Sequence, residues 1–157
     1  MNSTPDVLTE TDVISSEEYF QRSLVLERKK TERSDRPFLL IFLDVAALLA
    51  QKSRPRENIM ESLSSALSTS TREIDVKGWY RRDKLIGIIC TDFGKVGSDP
   101  VITKIKNKLN VYFDQDEVKN IKMFIIHYPD YENQPDEKSP ARLIKELQPE
   151  RKGVFFS

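Results

Sequence analysis

The stretch Arg72-Glu-Ile-Asp-Val-Lys-Gly-Trp-Tyr-Arg-Arg-Asp-Lys-Leu-Ile-Gly-Ile-Ile-Cys-Thr91 places two runs of strand-forming residues on either side of four charged residues. The first run contains Gly78-Trp79-Tyr80, and the second extends from Leu85 to Thr91. Aromatic and β-branched residues favour strands, and a short polar segment between two such runs is typical of a β-hairpin. The sequence therefore predicts a hairpin with Arg81-Arg82-Asp83-Lys84 at its tip. Because the tip contains neither Gly nor Asn, no turn type is assigned to it.

A second apolar run, Phe38-Leu-Leu-Ile-Phe-Leu-Asp44-Val45, precedes the hairpin and follows Pro37. A continuous apolar run of this length indicates a strand that is buried on both faces. Two further strands are expected after the hairpin, at residues 121–128 and, as an edge strand, at residues 154–156.

Amphipathic segments separate these strands. Helices are expected over residues 17–33, 55–71, 100–113 and 141–147, with a polar loop over residues 131–138. Ser15 and Glu18 have the spacing of a capping box at the start of the first helix, which buries Phe20 and Leu24. The order of elements predicts an α/β (α+β) domain with a mainly antiparallel sheet flanked by helices. Residues 1–14 are expected to be a flexible lead-in, and residues 15–157 a single domain.

The composition argues against several classes of function. Lys plus Arg and Asp plus Glu each number 25, so the net charge is zero and nothing favours a nucleic-acid partner. The longest apolar run is too short to span a bilayer, so we expect no membrane insertion and a cytoplasmic location. Cys90, the one cysteine, lies in an apolar run and is expected to be a buried core residue. His127, the one histidine, has no second histidine with which to build a catalytic site.

The order of elements, with the hairpin between the second and third strands, resembles the nucleotide-cyclase fold, a ferredoxin-like βααββαβ core. Several spacings are similar to those of bacterial GGDEF (diguanylate cyclase) domains. In that family an Arg-x-x-Asp motif is followed, after five residues, by the hairpin turn Gly-Gly-Asp/Glu-Glu-Phe. Here Arg72-x-x-Asp75 is followed by five residues and then by Arg81-Arg82-Asp83-Lys84-Leu85. The resemblance extends from about residue 16 to residue 128.

The departures from the family motif imply a degenerate domain that is not an enzyme. Arg81 and Arg82 replace the two glycines that let the backbone approach the phosphates of GTP. Lys84 replaces the glutamate that holds metal in the family, and Ala46 replaces the second carboxylate at the end of the first strand. Asp44 remains as a remnant of that metal site. We therefore expect no catalytic residues, no bound metal and no cofactor.

The retained Arg72 and Asp75 match the family's inhibitory site, which binds cyclic di-GMP. Arginine can hold a phosphate or the guanine edge bidentately, and a carboxylate can accept from guanine N–H groups. The alternative is that both residues are structural: Arg72 would stabilise the negative C-terminal end of a helix dipole, and Asp75 would cap a turn. Of the cations that could complete a binding site, the sequence offers Lys104, Lys106 and Lys108 on one helix.

Three functions follow from these alternatives. The first is a non-catalytic regulatory domain that acts as a cyclic di-GMP receptor through Arg72 and Asp75. The second is a ligand-free scaffold that docks on a partner enzyme or self-associates. The third is a residual GTP-binding enzyme centred on Asp44, which the loss of the other carboxylates disfavours.

Overall fold

The computed structural model describes residues 13–52, 54–91 and 97–128, together with the backbone of residues 153–155. The helices in these ranges are α1 (Glu17–Ser34), α2 (Ala46–Gln51), α3 (Arg56–Ser70), α4 (Asp99–Tyr112) and α5 (Gln115–Val118). The strands are β1 (Phe38–Asp44), β2 (Val76–Arg81), β3 (Leu85–Thr91), β4 (Lys122–Tyr128) and β5 (Gly153–Phe155). They form one antiparallel sheet in the order β2-β3-β1-β4-β5. This arrangement confirms the predicted α+β fold.

Strand β1 lies at the centre of the sheet, between β3 and β4. Its residues Phe38 to Leu43 are all buried, which confirms the prediction of a strand covered on both faces. Alternate side chains of a strand point to opposite faces, so β1 contributes to two separate cores. Phe38, Leu40 and Phe42 belong to one core, and Leu39, Ile41 and Leu43 belong to the other.

Helix α1 covers the first of these cores with Phe20 and Leu24, and helices α3 and α4 cover the second. The second core takes Ile59, Leu63 and Leu67 from α3 and Ile105 and Leu109 from α4, all of which are buried. Trp79 and Tyr80 of β2 point to opposite faces, and each is buried in a different core. None of the helices in the described ranges combines the length and the apolar character that a membrane crossing requires.

Two glycines let α1 approach the sheet closely. Gly78 of β2 and Gly87 of β3 are register partners, so they lie side by side. A Cβ atom on Gly87 would lie 2.3 Å from Cζ of the Phe20 ring, and one on Gly78 would lie 2.9 Å from Cβ of Phe20. Phe20 is fully buried, so its ring cannot swing into solvent to make room. Phe20 therefore packs directly against the backbone of the two glycines.

The structure differs from the sequence predictions in two short helices and in one helix cap. Helices α2 and α5 were not predicted, because segments of six and four residues are too short to show a helical repeat. The assignment of Ser15 to a capping box was wrong, since the N-cap of α1 is Ser16, whose Oγ accepts from the Tyr19 N–H at 3.2 Å. Ser15 instead donates its hydroxyl to the Lys77 carbonyl at 2.9 Å.

Some predictions concern parts of the chain outside the described residues. These are the polar loop at residues 131–138, the helix at residues 141–147 and most of the lead-in at residues 1–14. Ile14, at the end of that lead-in, is buried in the core. The predicted edge strand is present as β5, which begins at Gly153 and pairs with β4.

We expect Gly87→Ala to destabilise the fold by about 1–3 kcal/mol, the usual cost of overpacking a core. The physical reason is the contact between the new methyl group and the Phe20 ring. In a Phe20→Leu background, which removes the outer ring atoms, the added cost of Gly87→Ala should fall by about 1 kcal/mol or more. Urea unfolding of the two single variants and the double variant measures this coupling.

Gly97→Ala is the matched control, because a Cβ there would meet nothing within 4 Å, although the φ of +81° adds backbone strain. Its cost, about 1–2 kcal/mol, should be the same with Phe20 or Leu at position 20. Strictly additive effects of Gly87→Ala and Phe20→Leu would contradict the proposed contact.

Candidate functional site

The hairpin tip forms as predicted, although its turn covers residues 82–84 and not the whole tetrad. Arg81, the last residue of β2, is still paired with Leu85, the first residue of β3, and the Lys84 N–H donates to the Arg81 carbonyl at 3.0 Å. Asp83 adopts a left-handed backbone with φ 64°. Aspartate tolerates this conformation better than most residues, which explains how the turn closes without glycine.

Three contacts hold this tip against the rest of the domain. The Asp83 carboxylate accepts from Arg56, the first residue of α3, at 2.7 Å. The backbone N–H of Arg82 donates to the carboxylate of Glu17, the first residue of α1. The carbonyl of Lys84 accepts from the N–H of Val45, just after β1, at 2.9 Å. The tip is therefore tied to α1, to α3 and to the end of β1.

Asp44, which the sequence predicts to be a remnant of a metal site, is half-buried at the end of β1. Its Oδ1 accepts from the backbone N–H of Ala46 at 3.1 Å, and its register partners are Leu85 of β3 and Lys122 of β4. Within the described residues, no three His, Cys, Asp or Glu side chains group closely enough to hold a metal ion. A single carboxylate with a lysine beside it in the sheet does not match the oxygen-rich ligand set that Mg²⁺ prefers. The described residues at this edge therefore do not fit a magnesium ion.

Arg72 and Asp75 are brought together in the turn that joins α3 to β2, and they bind each other. The two oxygens of the Asp75 carboxylate accept from the Arg72 backbone N–H at 2.8 Å and from its Nη2 at 3.1 Å. Nη2 of Arg72 also donates to the carbonyl of Thr91 at the end of β3. The Asp75 side chain is 3% exposed and that of Arg72 is 46% exposed. Asp75 thus caps a turn and orients the guanidinium group of Arg72, whose side chain is half-exposed.

Two titratable groups lie beside this turn. Lys77 donates from Nζ to the carbonyl of Asp75 at 2.9 Å and to that of Arg72 at 3.3 Å. Burial lowers the pKa of Lys77, and the negative charge of Asp75 opposes that shift. Burial also raises the pKa of the Cys90 thiol to about 12, and the Asp75 carboxylate acts in the same direction. Cys90 is therefore an unreactive core residue, as predicted.

A groove of about 1220 Å³ runs beside Arg72, between the start of α1, helix α3 and the outer side of β2. Its lining includes the cations Arg22, Arg56, Arg72, Lys77 and Arg82, and the acids Glu18, Glu73 and Asp75. Among the lining residues that the structure describes, the cations outnumber the acids by five to three. The described part of the lining is thus locally basic in a chain with no net charge.

The cations beside Arg72 are not those that the sequence suggested. Lys104, Lys106 and Lys108 lie on α4 and are absent from the lining of the groove. Arg22 of α1 and Arg56 of α3 take their place, and neither stands in a motif that links it to Arg72. Only the packing of α1 and α3 beside β2 brings them there. His127, the remaining candidate, is exposed, and its Nε2 lies 3.0 Å from Ser98 Oγ.

No protein-family model matches the chain. No curated protein matches it in sequence. Several solved structures match its fold. A DGC protein from Thermotoga maritima is 18% identical with a TM-score of 0.59, and the match covers 84% of this chain and 94% of that one.

Two further matches come from complexes. The GGDEF domain of DgcB from Caulobacter crescentus, solved with c-di-GMP, is 8% identical with a TM-score of 0.65, covering 93% of this chain and 88% of that one. The diguanylate cyclase SiaD from Pseudomonas aeruginosa, solved with its activator SiaC, is 10% identical with a TM-score of 0.60. That match covers 88% of this chain and 54% of SiaD. The chain therefore has the fold of GGDEF domains, which is the fold that the spacing from Arg72 to Leu85 predicted.

Proposed function

We propose that this chain is a non-catalytic, GGDEF-like regulatory domain that binds cyclic di-GMP in the groove beside Arg72. The observation that carries the proposal is the half-exposed side chain of Arg72, which Asp75 holds in place on the wall of a groove whose described lining is rich in cations. Arg72 would be the principal contact with the ligand. Asp75 would position Arg72, because its own carboxylate is buried and already bonded to it.

The chemistry of the groove suits a ligand with two phosphate groups. Arg22 and Arg82 line the groove with Arg72, and the side chain of Arg22 is 72% exposed. Guanidinium groups bind phosphates and the O6/N7 edge of guanine through paired hydrogen bonds. The complex of the DgcB GGDEF domain with c-di-GMP shows that a domain of this fold binds this nucleotide. That precedent supports the same class of ligand here.

The loss of catalysis is the second part of the proposal. Arg81, Arg82 and Lys84 are exposed at the hairpin tip, where the resemblance expects small and acidic residues. The backbone of Arg82 and the side chain of Asp83 are held by Glu17 and Arg56. A tip with this charge and these anchors provides neither space for GTP phosphates nor ligands for Mg²⁺.

A ligand-free scaffold is the alternative, and one observation favours it. Both oxygens of Asp75 are used within the turn, so the Arg72–Asp75 pair already has a complete structural role. The complex of SiaD with its activator provides a precedent for a diguanylate cyclase that binds a protein partner. On this alternative the basic groove would bind an acidic protein surface and no nucleotide.

Calorimetric titration of the wild-type chain with cyclic di-GMP tests the receptor proposal. We expect binding that weakens about 10–100-fold in Arg72→Ala, because a charge-assisted hydrogen bond contributes about 1.5–3 kcal/mol. Arg22→Ala should also weaken binding while leaving the Arg72–Asp75 turn intact. Lys104→Ala, an equal charge change on α4, is the matched control and should bind as the wild type does.

Thermal unfolding of each variant must accompany the titration, since Arg72 also donates to Thr91. Absence of heat at several hundred micromolar nucleotide would contradict the receptor and favour the scaffold. Undiminished binding by a folded Arg72→Ala variant would place the ligand elsewhere on the domain.

A second prediction concerns catalysis. Incubation of the purified chain with GTP and Mg²⁺ should yield no cyclic dinucleotide by chromatography, because Asp44 lacks partner carboxylates. Asp44→Ala should only destabilise the fold, by about 1 kcal/mol, through the lost hydrogen bond to the Ala46 N–H. Turnover in the wild type that disappears in Asp44→Ala would establish a residual enzyme instead.

A further inference from the structure

The turn between α3 and β2 presents two exposed side chains, those of Glu73 and Ile74, which follow Arg72 in the chain. The two ends of the turn are held together, because the Asp75 N–H donates to the Arg72 carbonyl at 3.0 Å and the Asp75 carboxylate accepts from the Arg72 N–H at 2.8 Å. Exposed turn positions usually carry small or polar residues, whereas Ile74 is large, apolar and 64% exposed. Both side chains line the groove. The fold therefore holds them in a fixed turn where a ligand in the groove can contact them.

Glu73 differs from the other carboxylates of the described lining in its hydrogen bonds. Both oxygens of Asp75 are used within the turn, and the carboxylate of Glu18 lies 3.7 Å from Nη2 of Arg22. Glu73 is exposed and accepts no hydrogen bond from the other described residues. It interacts electrostatically with Lys77, but Nζ of that lysine already donates to two carbonyls of the turn. Among the described residues of the groove, Glu73 is thus the carboxylate whose oxygens are available to a ligand.

We infer that Glu73 binds the guanine base of the nucleotide and makes the groove selective for guanine over adenine. This inference rests on the proposed binding of cyclic di-GMP beside Arg72. One edge of guanine carries the donors N1–H and N2–H, and an ionised carboxylate accepts through two oxygens. The adjoining edge carries the acceptors O6 and N7, which a guanidinium binds through paired hydrogen bonds. Arg72 and Glu73 are neighbours in the chain, so one base can contact both side chains.

The same carboxylate disfavours adenine. Adenine has an acceptor at N1, where guanine has a donor, and it lacks the 2-amino group. A carboxylate has no proton to donate, so its oxygens face a lone pair and both hydrogen bonds are lost. A site built to hydrogen-bond one ligand rejects an analogue that lacks the bonding groups. Because Glu73 is exposed and water can replace the lost partners, we expect a preference of about 10–100-fold and not the larger factors of closed sites.

Ile74 contributes to affinity and not to this preference. Its side chain is aliphatic and therefore contacts the flat face of either purine through apolar surface alone. Truncation at position 74 should weaken the binding of guanine and adenine dinucleotides by the same factor. The two exposed residues of the turn thus predict different results, since Glu73 affects the choice of base and Ile74 affects affinity only.

Calorimetric titration of the full chain with cyclic di-GMP and with cyclic di-AMP tests the inference. The wild type should bind cyclic di-GMP about 10–100-fold more tightly than cyclic di-AMP. Glu73→Gln should reduce this preference to about threefold or less, because the uncharged amide accepts less strongly from guanine and can donate to adenine N1. Ile74→Ala should weaken the binding of both dinucleotides alike, by about 3–10-fold, through the lost apolar contact.

Glu61→Gln and Leu26→Ala are the matched controls, because these residues are exposed on α3 and α1 and neither is among the described residues that line the groove. Both variants should bind each dinucleotide as the wild type does. Equal affinity of the wild type for the two dinucleotides, or an unchanged preference in Glu73→Gln, would overturn the inference and leave the proposed receptor in place. Absence of binding by both dinucleotides would instead contradict the receptor and this inference together.

Discussion

The close contact of Phe20 with the paired glycines of β2 and β3 is the constraint on which the rest of the domain depends. If Gly78 or Gly87 were replaced by a residue with a side chain, α1 would have to move away from the sheet. The helix lies low enough for Phe20 to meet Tyr80 edge to face, with ring centroids 6.3 Å apart, and Tyr80 in turn contacts Phe42 of the central strand. The ring of Tyr80, in the hairpin, thus contacts both the first helix, through Phe20, and the central strand, through Phe42.

The position of α1 on the sheet also determines where the charged side chains of this helix lie. Glu17 reaches the hairpin tip because the helix begins directly above it, and Arg22, one turn further on, is carried to the groove beside Arg72. The same placement leaves Leu26 and the lysines after it on the outside of the domain. Packing, and not any local motif, therefore brings together the charges of the groove.

The elements predicted from the sequence are those with a long regular pattern. The buried run of β1, the two arms of the hairpin and the repeats of α1, α3 and α4 each extend far enough to identify them. Short elements were missed, and α5 shows why, since it depends on the mutual capping of Asp114 and Glu117 and not on periodicity. Arg22 and Arg56 were missed as groove residues because their proximity to Arg72 arises only from tertiary packing. For Arg72 and Asp75 the sequence left two roles open, and the hydrogen bonds between them show that Asp75 caps the turn.

Ser15 covers part of the exposed edge of β2, the outermost strand on one side of the sheet. Its backbone N–H donates to the Lys77 carbonyl at 2.9 Å, and its carbonyl accepts from the Trp79 N–H at 3.0 Å. An unpaired sheet edge is a template for strands of other molecules, and from there for aggregation. By occupying the outward-facing backbone groups of β2 at this point, Ser15 closes the edge to such additions. A residue outside every helix and strand thereby hinders the addition of a further strand at this point of the sheet.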